Sequence, residues 1–294
     1  MAKKPSLRRR RVAAALRRFR EEAGLSHVQA AEASGFSTAK LSRIESLFSG
    51  VTGDDARTLC EIYGVDKHTT DAISELARQS RRRGWWHVYS DDILGKVVDL
   101  LELEADARTV RNFELDLIPG LLQTDAYAAA VIRNGYPGID AETLQQKVSV
   151  RMHRQQRARE RGVKLWAIIG EAALLQPIGG SSVMAEQLDH LADLAESAGT
   201  VQVLPLSLPG HPAMGVPYEL LELRDGSTFA YLDTLTGGLY LEDESELEHY
   251  RDTWDRLTAS ALDFHQSVEG IRRVADEHRS GRSDGRRGRE MAQE

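Results

Sequence analysis

The chain has a single cysteine, Cys60, among its 294 residues. One cysteine excludes an intramolecular disulfide and a zinc site built from several thiolates, and such scarcity is typical of proteins in a reducing cytoplasm. The sequence also lacks the roughly 18 to 20 consecutive apolar residues that a membrane-spanning helix requires. We therefore expect a cytoplasmic protein with neither a signal peptide nor a membrane anchor.

Motifs of catalysis and cofactor binding are also missing. There is no Gly-x-Ser-x-Gly nucleophile elbow and no Gly-x-x-x-x-Gly-Lys phosphate loop, and residues 169–180 lack the glycine spacing of a dinucleotide site. The nine histidines are scattered. Glu246 and His249 lie at helical spacing, but no second pair of metal ligands accompanies them. The sequence therefore predicts a protein that is not an enzyme and that needs no metal or cofactor.

Charge is distributed unevenly along the chain, whose formal net charge is -7. Residues 1–83 carry 17 Lys and Arg against 10 Asp and Glu, whereas residues 84–271 carry 14 against 30. A basic segment attached to an acidic one predicts that the N-terminal part meets a polyanion such as nucleic acid. A solvated charged face would give the same counts, so the motifs have to decide.

Apolar residues recur at helical spacing through residues 1–83, in five short stripes separated by glycine or polar residues. The stripes are Val12, Leu16 and Phe19; Val28 and Ala31; Leu41, Ile44 and Phe48; Ala56, Leu59, Cys60 and Tyr63; and Ile73, Leu76 and Ala77. Ser26 with Gln29 matches the Ser-x-x-Gln capping box, and Thr52 with Asp55 is an acidic variant of that signal. Five short helices are predicted.

The segment around Gly35 predicts a helix-turn-helix. Ser26 would cap the second helix, Gly35 would turn the chain with a positive φ, and Ser37 would cap the third helix. A structural helical hairpin has the same spacing, but the basic charge and the capping signals favour DNA binding.

The third helix would present its outer face to base edges, as a recognition helix does. The expected DNA-binding residues are Ser26, Gln29, Ser37, Thr38, Lys40, Ser42 and Arg43. Lys40 or Arg43 would read base edges. Ser26 and Gln29, at the start of the second helix, would position the phosphate backbone.

The second half mixes helical and strand patterns. Helices are predicted over residues 122–135, 140–162, 181–199, 244–263 and 265–279, and strands over 163–170, 200–206, 218–225, 228–235 and 238–243. Glycine-containing hairpin turns at 225–226 and 237–238 predict an antiparallel meander packed by helices.

The predicted architecture has two domains and a tail. Residues 1–83 form an all-α N-terminal five-helix helix-turn-helix domain. Residues 84–279 form an α+β C-terminal domain with a small antiparallel sheet, and residues 280–294 lack apolar periodicity and form a disordered tail.

Two family resemblances accompany these patterns. The segment LRRFREEAGLSHVQAAEASGFSTAKLSRIESL (16–47) resembles the xenobiotic-response-element type of helix-turn-helix regulator, typified also by phage repressors. Ordered segments of the second half, among them LDLIPGLLQTDAYAAAVI (115–132) and WAIIGEAALLQPIGG (166–180), resemble actinobacterial regulators with an antitoxin-like (Scr1-type) C-terminal domain. The first resemblance implies a homodimer that reads a double-stranded DNA operator. The second implies a small partner protein encoded nearby, and names no active site.

Two functions of the second half stay open. One is a docking domain for the small protein, with Trp85, Trp86, Tyr240 and Trp254 as candidate partner-binding anchors. The alternative is a sensor of a small molecule or peptide, with a ligand pocket between sheet and helices. The aromatic segment 84–89 would be either a base-stacking platform or an anchor of the linker, and its acidic surroundings favour the anchor.

Overall fold

The computed structural model describes residues 5–81, 84–198, 201–235 and 237–281. The chain divides into two compact units, Met1–Asp91 and Asp92–Glu294. The sequence predicts the domain boundary between residues 83 and 84. Residues 82 and 83 lie outside the described part of the chain. The expected disordered tail, 280–294, lies outside it from residue 282 onward.

Residues 5–81 form the five helices that the apolar stripes predict. These are α1 (Leu7–Glu22), α2 (His27–Ser34), α3 (Thr38–Glu45), α4 (Gly53–Ile62) and α5 (Lys67–Gln79). Each begins after a side chain that accepts a backbone N–H of the first turn, namely Ser6, Ser26, Ser37, Thr52 and Asp66. Because such a cap stabilises a helix by about 1 kcal/mol, local sequence sets these starts.

The stripes of the first unit pack into one core, with Leu16 and Leu41 each 1% exposed. Two expected core residues lie outside it, because Val28 is 55% and Phe48 85% exposed. Helix α3 ends at Glu45, and Leu47 adopts a positive φ of 66°. Because the helix ends before Phe48, the helical spacing that predicts a buried Phe48 does not apply to it.

The second unit contains most of the remaining elements. A 3-10 turn, Trp85–Val88, precedes them along the chain and belongs to the last residues of the first unit. The helices are α6 (Asp91–Leu94), α7 (Val98–Asp106), α8 (Asp125–Gly135), α9 (Ala141–Glu160), α10 (Glu171–Leu175), α11 (Ser181–Ala198), α12 (Glu244–Ser260) and α13 (Phe264–Arg279). The strands are β1 (Ala107–Glu114), β2 (Lys164–Gly170), β3 (Val201–Leu204), β4 (Tyr218–Leu223), β5 (Thr228–Asp233) and β6 (Gly238–Leu241).

The strands form one six-stranded sheet in the order β3-β2-β1-β4-β5-β6. The predicted antiparallel meander is present as β4, β5 and β6, but β1, β2 and β3 pair in parallel. The sheet is therefore larger than expected and mixed, rather than small and antiparallel. Strand β1, ARTVRNFE, was missed because four polar side chains interrupt its apolar alternation. The parallel pairs follow from the helical crossovers α8–α9 and α10–α11, since parallel strands need such connections.

Successive residues of β2 show how the sheet separates two cores. Ile169 packs in a cluster with α8, α11 and α13, whereas Ile168 packs in another with Phe113 of β1 and Trp254 of α12. Both isoleucines are fully buried. Because side chains alternate across a strand, a sheet covered on both faces buries consecutive apolar residues.

Charged side chains are also enclosed between α7, α9 and the sheet. Arg154 of α9 donates from Nε to Oε2 of Glu104 on α7 at 2.9 Å, and both side chains are less than a tenth exposed. Glu219 lies opposite Asn112 across the β1–β4 pair. Burial, and next the negative charge of Glu219, raise the pKa of Glu114 to about 8. Glu114 therefore holds a proton in the folded chain at neutral pH.

We predict that this carboxyl group makes the second unit less stable as pH rises. Between its ordinary pKa of 4.5 and about 8, Glu114 is protonated when folded and ionised when unfolded. The free energy of unfolding should therefore fall across this range, by up to about 1.4 kcal/mol per pH unit. Glu114→Gln should flatten the slope in urea unfolding at pH 5, 6, 7 and 8. The exposed control Glu248→Gln should keep it, and equal slopes for wild type and Glu114→Gln would contradict the prediction.

Candidate nucleic-acid interface

The turn between α2 and α3 has the geometry of a helix-turn-helix. The Ser26 Oγ accepts from the Gln29 backbone N–H (3.3 Å), and the Gln29 Oε1 accepts from the Ser26 N–H (2.9 Å), which completes the capping box. Gly35 ends α2 with a φ of 69°, and Ser37 caps α3. Only three residues therefore separate the two helices.

An ion pair holds α3 in place from its last residue, Glu45. Glu45 of α3 accepts two hydrogen bonds from Arg20 of α1, from Nε at 2.7 Å and from Nη2 at 2.9 Å. The two side chains are 6% and 8% exposed. His27, the first residue of α2, lies with its Nε2 3.1 Å from Glu45 Oε2. This ion-pair clamp joins α1 to α2 and α3, the two helices of the helix-turn-helix.

The sequence patterns alone assign no role to Arg20, His27 or Glu45. A signal was present, since Glu45 and Arg20 are charged residues adjacent to the buried Ile44 and Phe19 of the apolar stripes. A charge at the edge of a buried stripe needs a partner, because an unpaired buried charge is strongly unfavourable. Which residue is the partner follows only from the packing of the helices.

The outer face of α3 is polar and exposed. Leu41 and Ile44 are buried, whereas Ser42 and Arg43 are exposed. Among the described residues, no acidic side chain pairs with the guanidinium group of Arg43. An exposed guanidinium with its five donors is suited to a guanine edge, to which it can donate two hydrogen bonds.

Lys40 has a different environment from the one expected of a base-reading residue. Its Nζ lies 2.9 Å from Oδ2 of Asp55 on α4 and 3.6 Å from the centre of the Phe36 ring. Both contacts turn the ammonium group towards the body of the unit. The structure therefore favours Arg43 over Lys40 as the base reader.

The remaining expected contacts lie at the two helix starts. Ser26, Gln29, Ser37 and Thr38 are all exposed. Capping uses the Gln29 side-chain oxygen, which leaves its amide N–H groups oriented as donors on the same exposed side chain. These four residues lie where backbone N–H groups and the helix dipole favour a phosphate.

The four candidate anchors for a partner protein differ in accessibility. Trp254 is 2% exposed and packs edge-on against Trp166, and Trp86 is 3% exposed. These two residues are core residues in this conformation and offer no surface to a partner. Trp85 and Tyr240 are partly exposed, and the Tyr240 ring lies 5.0 Å from that of Tyr231.

Metal ligands and membrane-spanning helices are two further features that bear on function. Within them, no group of three or more His, Cys, Asp or Glu side chains is placed to hold a metal ion. No helix of the described part is long and apolar enough to cross a membrane.

Two protein-family models match the chain. A helix-turn-helix domain matches residues 11–73, which include every residue expected to contact DNA. The first unit thus defines the class, a DNA-binding transcriptional regulator. A domain of unknown function, DUF5753, matches residues 97–273. That match spans more than half of the chain, which therefore belongs to the DUF5753 family. Searches of curated proteins and of solved structures gave no significant match.

We predict that the ion-pair clamp dominates the stability of the first unit. Glu45→Ala leaves the buried Arg20 with only the Leu25 carbonyl and a long contact to the exposed Glu21. It should lower the free energy of unfolding by about 3 kcal/mol, the low end for a broken buried pair. The control Glu22→Ala breaks an exposed pair with Arg18 (67% and 64% exposed) and should cost less than about 1 kcal/mol. Thermal unfolding of the full chain, followed by circular dichroism, measures both. Similar decreases in the melting temperature of the two variants would show that the ion-pair clamp contributes no more stability than an exposed ion pair.

Proposed function

We propose that this protein is a sequence-specific transcriptional regulator of the xenobiotic-response-element type that binds its operator as a homodimer. The observation that carries the proposal is the exposed Arg43 on the outer face of α3, a helix held in place by the ion-pair clamp. The basic charge of residues 1–83 supports it, because phosphate attraction supplies much of the affinity for DNA.

The homodimer is supported by the size of the reading surface. A single module of this kind buries about 600 to 1,000 Å² on DNA, and specific affinity usually requires two half-sites about one helical turn apart. We therefore expect a roughly palindromic operator that binds two chains. This arrangement also follows from the resemblance of residues 16–47 to phage repressors.

We predict that Arg43 and Gln29 contribute to DNA binding in different ways. Arg43→Ala should relax the preference at particular base pairs by about 1 to 3 kcal/mol per half-site. Gln29→Ala should weaken binding to all sequences alike, because phosphate contacts carry no direct sequence information. Lys40→Met should keep the wild-type preference, since the Lys40 ammonium group contacts Asp55 and Phe36.

An operator selected from random DNA, and its single-base variants, supply the measurement at one fixed salt concentration. The same titration gives the stoichiometry, for which we expect two chains per palindrome and much weaker binding to a half-site. An unchanged base preference in Arg43→Ala would reject α3 as the reading helix. One chain per full site would reject the homodimer.

We further propose that the C-terminal domain docks a small, basic partner protein encoded nearby. Residues 84–271 carry the excess of acidic residues, which would attract such a partner and repel DNA. At the edge of the sheet formed by β6, Leu235 is fully and Leu239 half exposed. Leu239 of β6 and Leu235, in the turn before that strand, are the exposed apolar side chains that a docked protein would cover.

We predict that the partner-binding contact depends on Leu239. Co-expressed with the small protein encoded beside its gene, the full chain should co-elute with it in gel filtration. Leu239→Ser should weaken the complex at least tenfold in a titration, as loss of a buried anchor does. The control Leu206→Ser removes another exposed leucine, next to β3 at the opposite edge of the sheet, and should have little effect. Separate elution of the two wild-type proteins would refute docking.

A further inference from the structure

A cavity of about 660 Å³ lies beside the first residues of β2 in the second unit. It is bounded by β1 and β2, by the C-terminal part of α9, by the 3-10 turn Gly120–Leu122, and by residues of α11 and α13. Its volume falls within the roughly 300 to 1,000 Å³ of small-molecule sites. The docking surface at β6 is at the other edge of the sheet, so the cavity is a separate feature.

The walls of the cavity are mostly apolar. Leucine side chains from the 3-10 turn, β2 and α11 meet the rings of Trp166 and Phe264, whose centres are 6.0 Å apart. Trp166 is fixed in orientation, because its Nε1–H donates to Oε1 of Gln202 at 3.0 Å and Trp254 packs edge-on against it at 5.8 Å. Such a preformed wall favours an apolar molecule, since little side-chain ordering accompanies binding.

Two cationic side chains lie on the rim of this apolar cavity. Lys164 begins β2 and Arg159 lies in the last turn of α9, and both are exposed. Among the described residues, neither has an acidic partner. Arg111, the third cation of the lining, is by contrast paired with Glu222 at 3.2 Å.

The charge of Arg159 is also evident at a neighbouring histidine. Burial and, after it, the positive charge of Arg159 lower the pKa of His190 on α11. Arg159 donates from Nη2 to the neutral Oε1 of Gln155 at 3.4 Å. Two cations without an acidic partner among the described residues stand out here, because residues 84–271 carry 30 acidic residues and 14 basic ones. A ligand with a negative group would neutralise them.

We propose that the cavity binds an amphipathic monoanion, a medium-chain carboxylate with an apolar body of about ten carbon atoms. The body would lie against Trp166, Phe264 and the leucines, and the carboxylate would accept hydrogen bonds from Arg159 and Lys164. Charge-assisted hydrogen bonds of this kind orient the ligand as well as holding it. This inference does not depend on the DNA-binding role or on the partner protein, because it concerns ligand binding by the chain alone.

The test is a calorimetric titration of the full chain with decanoate and decyltrimethylammonium, each below its micelle concentration, and with 1-decanol below its solubility limit. Decanoate should bind saturably at one molecule per chain, at least tenfold tighter than the other two, and should raise the melting temperature by mass action. Binding should also change the tryptophan fluorescence, because Trp166 forms part of the wall. Equal affinity for the cation, or no saturation with decanoate, would overturn the proposal.

Variants separate the charged rim from the apolar body of the site. Lys164→Glu and Arg159→Glu should each weaken decanoate binding about tenfold or more, the size expected for one hydrogen bond to a charged group. Lys67→Glu makes the same charge change on an exposed lysine of the first unit and should leave the affinity unchanged. Leu194→Trp should narrow the cavity and weaken binding while the circular dichroism spectrum is retained. Wild-type affinity in both rim variants would overturn the proposed role of the cations.

Discussion

The ion pair of Arg20 with Glu45 is the contact on which the proposed DNA-reading face of the first unit depends. Helix α3 has eight residues, and helices of this length are unstable alone in water. The bidentate contact fixes the end of α3 against α1, and His27 adds a contact from the start of α2. With both the turn at Gly35 and the end at Glu45 fixed, the rotation of α3 is determined. Its exposed face follows from that rotation.

The second unit depends on a different constraint, the mixed pairing of its sheet. Strand β3 pairs with residues 167–170 of β2 only. Among the described residues, the first three residues of β2 thus have a paired strand on the β1 side alone, and the cavity lies beside them. The same sheet brings Glu219 and Glu114 into an enclosed, charged region, from which we expect the stability of this unit to depend on pH. The role proposed for the first unit therefore depends on an ion pair between helices, and the roles proposed for the second unit depend on the pairing of its sheet.

Function is better defined by the first unit than by the second. In the first, the family match, the exposed Arg43 and the basic charge all indicate DNA. In the second, membership of the DUF5753 family names no chemistry, so the roles proposed for it rest on the β6 edge and on the cavity. The proposed partner and the proposed carboxylate would use separate surfaces, so a single domain could respond to both.

The sequence by itself determined what short-range chemistry controls. Capping by Ser26 and Ser37, the positive φ of Gly35 and the helical stripes specified five helices and the turn, because each signal acts within a few residues. Tertiary structure decided the rest. It paired Lys40 with Asp55, which are 15 residues apart in the chain and come together only when α3 and α4 pack. The parallel strands, the burial of Trp254 and the cavity arise likewise between segments far apart in the chain, where no local pattern encodes the contact.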